Sequence, residues 1–375
     1  MRLLTKCLLV GSCCVSMLLA ASSVKWVPTV HTEPVQADAD DPAIWVHPQN
    51  PSQSLILATD KGGNALYTFD MQGKVVQKIH NIQRPNNVDV EYRFALNGTY
   101  VDIAVLTERN ARRLRVFAIH PESRLLTDIS DPNATTVFDA QEGHSGEPMG
   151  IALYRRPKDG TVFAIVSRKT GPSEGYLWQY QLVPTSSGKV GLRRVREFGK
   201  FSGTGEIEAV AVDDELGYVY YADESFGIRK YHADPEHPQA DQELAIFATT
   251  GFQDDREGIA VYPLNSKTGY LLCVDQIANN SAVYVLRREG KGGNPHDHTE
   301  LVAIIHTDSD STDGIEASAT NFGKQFPKGI MVMMNSQGRN FHLYKWENLN
   351  SKFAYKSVNF NLLLTFIVYT IFRLH

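Results

Sequence analysis

Residues 208–212 read Glu208-Ala-Val-Ala-Val, and residues 257–261 repeat the pattern as Glu257-Gly-Ile-Ala-Val. In both copies a carboxylate stands directly before a short apolar run that favours a β-strand. Four other stretches share the pattern: Asp41-Pro-Ala-Ile-Trp, Asp89-Val90-Glu91-Tyr92, Glu147-Pro-Met-Gly-Ile-Ala and Asp313-Gly-Ile-Glu. The six starts are 48, 58, 61, 49 and 56 residues apart, so the chain is built from an internal repeat.

Each repeat has the rhythm of a small antiparallel sheet. After Glu208, further apolar strands are predicted at residues 218–222 and 228–231, separated by turns. Between Asp38 and Trp346 the predicted strands are short and alternate with Gly, Pro, Asn and Asp turns, and almost no stretch has the helical period. We therefore predict an all-β chain folded as a six-bladed β-propeller, with about one repeat per blade.

The acids that begin the six repeats are predicted to form a ring. The innermost strands of a propeller run along its central channel, so equivalent carboxylates would meet at one mouth of that channel. Such a ring is electrostatically unfavourable unless cations fill it. The alternative is that each acid is an ordinary turn residue. Because carboxylate oxygens favour hard cations and the histidines lack a zinc-type spacing, we predict calcium as the metal.

Composition indicates a globular domain. Hydrophobic residues make up 42% of the 375 residues and charged residues 21%, which allows a sizeable core. The net charge is −5 and charges of both signs are interspersed. This chain lacks the broad basic surface that neutralises nucleic-acid phosphates, so we expect no nucleic-acid partner.

The N-terminus has the pattern of an export signal. Arg2 and Lys6 lie before or within an apolar stretch that ends in small residues near Ala20. We predict a signal peptide over residues 1–21 and a secreted or periplasmic protein. An uncleaved anchor, or a lipoprotein signal that uses Cys13, remains as an alternative.

The remainder of the chain is predicted to be one domain and a tail. We place the propeller domain at residues 22–349 and an atypical apolar tail at residues 350–375. The apolar run of the tail is too short to span a bilayer, so we expect no stable membrane span. Three of the four cysteines lie in the signal, which leaves Cys273 without an internal disulfide partner.

The first repeat lies within a longer motif, Ala37-Asp-Ala-Asp-Asp-Pro-Ala-Ile-Trp-Val-His-Pro, preceded by Thr32-Glu-Pro-Val. Later motifs follow in order: Asn86-Asn-Val-Asp-Val, Val101-Asp-Ile-Ala, Val212-Asp-Asp-Glu-Leu-Gly, Thr312-Asp-Gly-Ile and Asn340-Phe-His-Leu-Tyr-Lys-Trp. Together they resemble the β-propeller phytases over residues 32–349. The resemblance implies six blades with several calcium ions at one end of the channel.

The resemblance also implies site residues. The implied metal ligands are Asp40, Asp41, Glu208, Glu224, Asp255, Glu257, Gln276 and Asp313, with Asp308 and Glu33 as weaker candidates. The implied phosphate-binding and catalytic cations are Lys61 in Thr59-Asp-Lys-Gly, Arg109 in Leu106-Thr-Glu-Arg and Lys169 in Ser167-Arg-Lys-Thr-Gly. Glu208 is expected to take part in catalysis as well, and Arg168 to contact substrate. Taken singly, each basic residue is more often a solvated surface side chain.

Three positions depart from the pattern of the family. Gly62 stands where many relatives carry a second lysine, and Met149 stands where a phosphate-binding tyrosine is usual. Met334-Asn335 replaces a pair that contains an acid. These changes predict weaker phosphate binding. Arg168 and His144 are the neighbouring residues that could replace the lost contacts to phosphate.

The function implied by the resemblance is calcium-dependent hydrolysis of myo-inositol hexakisphosphate (phytate). We expect metal-activated water to attack phosphorus, because the sequence lacks Arg-His-Gly, Cys-x5-Arg and Gly-x-Ser-x-Gly motifs for a protein nucleophile. The bound substrate is expected to be phytate or a calcium–phytate complex, and the protein a monomer. Two alternatives are a calcium-dependent lactonase on the same scaffold and a non-catalytic propeller in which calcium only stabilises a binding module.

Overall fold

The computed structural model describes residues 23–346, which form 25 β-strands and two short 3-10 helices. The predicted signal peptide, residues 1–21, and the predicted tail, residues 350–375, lie outside the described residues. Neither helix in residues 23–346 has the length and apolar character needed to cross a membrane.

The strands follow one another along the chain blade by blade. Two N-terminal strands, β1 (Ser23–Lys25) and β2 (Val30–His31), precede blade 1, which contains β3 (Ala39–Trp45), β4 (Leu55–Asp60), β5 (Ala65–Phe69) and β6 (Val75–His80). Blade 2 contains β7 (Pro85–Leu96), β8 (Thr99–Glu108), β9 (Arg113–His120) and β10 (Leu125–Asp128), and blade 3 contains β11 (Pro148–Arg155), β12 (Val162–Arg168), β13 (Glu174–Pro184) and β14 (Val190–Lys200). Blade 4 contains β15 (Val210–Asp213), β16 (Tyr218–Asp223), β17 (Gly227–His232) and β18 (Ala245–Phe247). Blade 5 contains β19 (Ile259–Pro263), β20 (Gly269–Asp275), β21 (Ala282–Arg287) and β22 (Leu301–His306), and blade 6 contains β23 (Ile315–Ser318), β24 (Ile330–Asn335) and β25 (Asn340–Lys345). The 3-10 helices are Pro51–Gln53 and Gly143–Gly146.

Each blade is a four-stranded antiparallel sheet, and the six blades form a ring. The innermost strands β3, β7, β11, β15, β19 and β23 contact one another in a closed circle. The N-terminal strand β2 pairs with β25, with Val30 opposite Leu343, and so supplies the fourth strand of blade 6. Strand β1 adds a fifth strand to blade 5 by parallel pairing with β22. The predicted six-bladed propeller is confirmed.

The hydrophobic core is divided into six clusters, one between each pair of neighbouring blades. Every blade therefore buries both faces, and its central strands contain runs of consecutive buried residues rather than buried residues at alternate positions. Strands β4 and β20 are buried at every position. Trp45 and Trp346 are fully buried in two different clusters. Burial of each large apolar side chain contributes about 1.5–3 kcal/mol, so the blade interfaces hold the ring together.

Candidate metal and phosphate site

In five of the six blades the last residue of the second strand fixes the entry to the blade. In blade 1 an Asp60 carboxylate oxygen accepts a hydrogen bond from the backbone N–H of Asp38 at 2.8 Å. Glu108, Asp223, Asp275 and Asn335 accept equivalent bonds from the loops that lead into blades 2, 4, 5 and 6. These buried side chains satisfy backbone donors that would otherwise lack partners. These side chains therefore stabilise the loops, although in sequence they stand beside residues that were predicted to belong to the site.

In blades 1–5 the residue that follows the second strand lines the cavity at the channel mouth or contacts a neighbour of the residues that do. It is Lys61 in blade 1, Arg109 in blade 2, Lys169 in blade 3, Glu224 in blade 4 and Gln276 in blade 5. Blades 1–3 therefore present cations, and blades 4 and 5 present oxygen ligands. One backbone position, repeated by the fold, divides the site into a basic half and an acidic half.

The innermost strands supply the second layer of the site. Strand pairing aligns six equivalent positions, and these are Asp40, Asn86, Met149, Glu208, Glu257 and Asp313. The expected ring of six equivalent carboxylates is therefore corrected to four carboxylates, one amide and one thioether. Asp89 lies further along β7, where it accepts hydrogen bonds from Val90 and Leu153. Glu147 precedes β11 and contacts Arg109 instead.

Two carboxylate groups at this end of the channel could hold metal ions. Glu206, Glu208 and Glu224 form one group, and Glu224, Asp255 and Glu257 form the other. In each group one oxygen of every carboxylate lies within 4.8 Å of the others. A cavity of about 440 Å³ adjoins both groups. It is lined by Lys61, Lys169, Gly205, Glu206, Glu208, Glu224, Asp255, Glu257 and Asp313.

The basic side chains are paired with these acids or their neighbours. Lys61 Nζ lies 2.5 Å from Asp40 and 3.5 Å from Asp313, which come from blades 1 and 6. Burial alone would lower the pKa of Lys61, but Asp40, Glu208 and Asp313 raise it above its ordinary value. Lys169 forms an ion pair with Glu206. The Lys61 ammonium is therefore held in its charged form beside the cavity.

The clustered acids repel one another. Burial, followed by the charge of Asp40, raises the pKa of Glu208 to about 7. Burial and the charge of Glu208 raise the pKa of Glu224 to about 8. The pKa values of Glu257 and Asp313 are raised well above the ordinary range for the same two reasons. A bound cation would remove this repulsion.

The donor set fits a hard divalent cation. Asp40 is fully buried, and its Oδ2 atom has no hydrogen-bond partner among the described residues. An unpartnered carboxylate oxygen in such a place is costly unless a cation or a proton compensates it. The two groups offer only carboxylate oxygens, which suits calcium rather than a soft metal.

Two further predicted ligands have specific places. Gln276 joins the cluster, because its Nε2 donates to Asp313 at 2.5 Å. Asp41 lies one residue further into the channel, where its Oδ2 accepts from the backbone N–H of Val88 at 3.0 Å. Burial raises the pKa of Asp41 well above its ordinary value.

Three predicted residues are not brought to the cluster, and Arg168 is the first of them. It is 2% exposed, donates to the carbonyl oxygens of Gly175 and Tyr176, and its guanidinium lies over the rings of Phe138 and Trp178. This position corrects the expectation that Arg168 contacts substrate, because all of these partners belong to the packing of blades 2 and 3.

The two weaker acidic candidates also lie apart. Asp308 pairs with Lys25 at 2.8 Å, beside the extra strand of blade 5. Glu33 binds the ammonium of Lys74 and the backbone N–H of Val75, which lowers its pKa. Both carboxylates have partners at the outer edges of blades and lie outside the two carboxylate groups.

Sequence reasoning missed Glu206 and Asn86. Glu206 alternates with Glu208 in Glu206-Ile-Glu208, a spacing that directs both side chains to one face of an extended chain. Asn86 begins a motif that carried the family resemblance, yet amides are common in turns and gave no signal of their own. In the folded chain its amide contacts both Arg109 and Glu208.

The departures from the family pattern have structural settings. A Cβ atom at Gly62 would lie 2.9 Å from the Asp38 Cβ, so a side chain there requires this loop to shift. Met149 is 1% exposed, and its carbonyl oxygen accepts a hydrogen bond from Thr107 at 2.6 Å. His144 is exposed and its Nδ1 lies 3.0 Å from Glu147, which also contacts Arg109.

Fold and site together define a class of protein, the six-bladed β-propellers with carboxylate clusters and basic side chains at one end of the channel. The family model for phytase matches residues 3–359. The chain belongs to the phytase family. It is 32% identical over 336 residues to the 3-phytase of Bacillus subtilis (strain 168), and the match covers 86% of this chain and 84% of that protein.

More distant solved structures share the fold. A luciferin-regenerating enzyme matches with a TM-score of 0.51 and 12% identity, over 84% of this chain and 94% of that one. The calcium-binding protein regucalcin from Agrobacterium tumefaciens matches with a TM-score of 0.50 and 8% identity, over 86% of this chain and 97% of that one. At such identities the matches support the architecture alone.

Proposed function

We propose that this protein is a calcium-dependent phosphomonoesterase that removes phosphate from phytate. One observation carries the proposal: two carboxylate groups that share Glu224 line one cavity together with the cations of blades 1 and 3, in a chain of the phytase family. Carboxylates alone would suit many calcium-binding propellers. The neighbouring cations add what a dianionic phosphate ester requires.

In this proposal the acidic residues bind metal and the basic residues bind phosphate. Glu206, Glu208, Glu224, Asp255, Glu257, Asp40 and Asp313 would hold several calcium ions. When bound, calcium supplies positive charge to phosphate oxygens and lowers the pKa of a water molecule. Lys61 and Lys169 line the same cavity and would neutralise charge that develops on the phosphoryl group. Arg109 is connected to the cavity through Asn86, whose amide contacts both Arg109 and the cavity residue Glu208.

Water is the attacking group in this proposal. The residues that line the cavity include no serine, threonine, cysteine or histidine, so no hydroxyl, thiol or imidazole nucleophile stands there. Because the carboxylates outnumber the cations, an anionic substrate would bind only after metal has reversed the local charge. We further propose that the substrate enters as phytate or a calcium–phytate complex, and that the protein acts as an exported monomer.

The test is phosphate release from phytate by the purified protein, measured with calcium, with a chelator, and after calcium is restored. We expect release to stop with chelator and to return with calcium. Glu224→Gln should reduce calcium affinity at least about tenfold and reduce release with it, because Glu224 belongs to both carboxylate groups.

The matched control is Glu33→Gln, which removes a carboxylate at an outer blade edge. It should leave both calcium affinity and release close to those of the unmodified protein. A folded protein that binds calcium but releases no phosphate would instead favour the binding-module alternative. Hydrolysis of a lactone with none of phytate would favour the lactonase.

A further inference from the structure

Asn86 connects the basic half of the site to the acidic half. The residue is fully buried at the start of β7. Its Oδ1 accepts a hydrogen bond from Arg109 Nη1 at 3.4 Å, and its Nδ2 donates to Glu208 Oε1 at 2.6 Å. The second proton of Nδ2 points to Asn87 Oδ1 at 3.5 Å. One amide thus touches a guanidinium from blade 2 and a carboxylate from blade 4.

The chemistry of the two partners fixes the orientation of the amide. A guanidinium only donates and an ionised carboxylate only accepts, so the oxygen must face Arg109 and the nitrogen must face Glu208. Asparagine satisfies both partners at once. Aspartate would satisfy Arg109 but would repel Glu208, and leucine would satisfy neither.

Asn86 occupies a ring position at which four of the five equivalent residues are carboxylates. Strand pairing places Asn86 level with Asp40, Glu208, Glu257 and Asp313, which are all carboxylates. A fifth carboxylate at this position would add another like charge to the cluster. The amide instead replaces a repulsion with a hydrogen bond to a charged group, which is about twice as strong as a neutral one.

Few other contacts hold the two partners. Within residues 23–346, the Arg109 side chain has one ion pair besides this bond, from Nε to Glu147 at 3.3 Å. The backbone of Glu208 packs so closely against blade 3 that a Cβ at Gly150 would overlap the Glu208 carbonyl oxygen. The main chain of Glu208 is therefore fixed, and Asn86 sets the direction of its carboxylate.

We infer that Asn86 is a positioning residue that sets the spacing between Arg109, a phosphate-binding cation, and Glu208, a metal-binding carboxylate. The inference rests on the proposed function, since it assigns phosphate to one side of the amide and metal to the other. Asn86 touches neither reacting group itself. Its role is to keep the guanidinium of Arg109 and the carboxylate of Glu208 at a fixed separation.

The experiment compares Asn86→Leu and Asn86→Asp with the unmodified protein. Binding of inorganic phosphate in the presence of calcium is measured by calorimetry, together with calcium affinity, KM and kcat for phytate, and the melting temperature. Asn86→Leu should weaken phosphate binding and raise KM about tenfold, because one hydrogen bond to a charged group is lost. It should also weaken calcium binding severalfold.

Asn86→Asp separates the two contacts. It restores an acceptor for Arg109, so phosphate affinity and KM should return to within about threefold of the unmodified protein. The contact with Glu208 is absent in both variants, so kcat should be lower than that of the unmodified protein in Asn86→Asp as well as in Asn86→Leu. This split between KM and kcat would not arise if Asn86 only filled space in the blade.

The control is Asn335→Asp, which changes another buried amide at the same end of the ring. Asn335 bonds to Asp310 and Asn340 and has no cation partner in the described part of the chain. It should lower the melting temperature without changing phosphate affinity. Equal phosphate affinity in Asn86→Leu and the unmodified protein would overturn the inference, as would identical behaviour of the Leu and Asp variants.

Failure of the proposed function has a different signature. Phosphate binding that responds to Asn86 while phytate is not hydrolysed would support the positioning role and count against the hydrolase. Absence of phosphate binding by the unmodified, calcium-loaded protein would overturn the inference and the proposed function together.

Discussion

Adjacent residues at the end of a second strand have opposite environments. Arg168 is enclosed by two aromatic rings and two carbonyl oxygens, whereas Lys169 reaches the cavity and pairs with Glu206. Successive side chains of an extended chain point in opposite directions, so a one-residue difference separates blade packing from the site. Two neighbouring cations in the sequence therefore have unrelated roles.

This difference predicts opposite effects for two substitutions. Arg168→Leu should lower the free energy of unfolding by roughly 2–5 kcal/mol, because two buried carbonyl oxygens lose their donor. It should leave the KM for phytate unchanged. Urea unfolding and steady-state kinetics measure the two quantities.

Lys169→Met should do the reverse. The KM should rise about tenfold with loss of a charged contact to phosphate, and the melting temperature should change little because Lys169 is partly exposed. A raised KM in Arg168→Leu, with an unchanged KM in Lys169→Met, would contradict the prediction and assign the phosphate contact to Arg168 instead.

At the scale of the element, the closing strands β2 and β25 carry a titratable group. His342 lies in β25, is 4% exposed, and its Nδ1 lies 3.0 Å from the hydroxyl of Ser309. Its ring centroid lies 4.4 Å from that of His31 in β2. Burial, with a smaller contribution from His31, lowers the pKa of His342 to about 4.

The lowered pKa predicts loss of stability in acid. The folded protein holds His342 neutral, so its contribution is complete above the ordinary pKa of about 6.5 and is lost as pH falls towards 4. The full effect is at most about 3 kcal/mol. His342→Gln cannot titrate and should flatten the dependence of unfolding free energy on pH between 6.5 and 4. An unchanged slope in urea titrations across this range would contradict the assignment.

At the scale of the whole molecule, the site belongs to no single blade. Lys61 and Asp313 are 252 residues apart in sequence and meet across the ring closure. Each carboxylate group draws on different loops, and the cavity borders side chains from blades 1, 3, 4, 5 and 6. Charge repulsion in the site therefore opposes the folding of the complete ring rather than of one sheet.

Chelation should make stability fall as pH rises. The pKa values of Glu208 and Glu224 are raised to about 7 and about 8, so the folded state favours their protonated forms. Their contribution is complete below the ordinary pKa of about 4.5 and is lost as pH rises through 7 to 8. Melting temperatures with chelator should thus decrease from pH 6 to pH 8.5. With calcium the decrease should disappear, and an equal decrease in both conditions would contradict a cation role for the cluster.

The sequence predicted the ring but only part of the site. Repeated strands and spacing were sufficient for six blades, because each unit buries the same apolar pattern. Lys61, Glu224 and Glu257, which the family resemblance implied as site residues, line one cavity in the folded chain. The bulges that shift β3, β7 and β11 by one pairing were not visible, and the repeats were aligned on Asp41 and Asp89 rather than on Asp40 and Asn86. One inserted residue accounts for the offset at Asp41, whereas Asp89 was chosen because the equivalent residue, Asn86, is an amide and not an acid. Arg168 was misplaced because nothing in sequence says which of two adjacent cations faces inward.

The pairing of β2 with β25 has a consequence for how the protein is made. Val30 is synthesised near the beginning of the described chain and Leu343 near its end, and they become strand partners. The hairpins of each blade can form during translation, but the ring cannot close until the last strand has emerged from the ribosome. We therefore expect an incomplete chain to remain an open arc with two uncovered apolar faces. Chaperones would have to shield these faces, and a stop codon shortly before residue 340 would leave a product that aggregates rather than one that works less well.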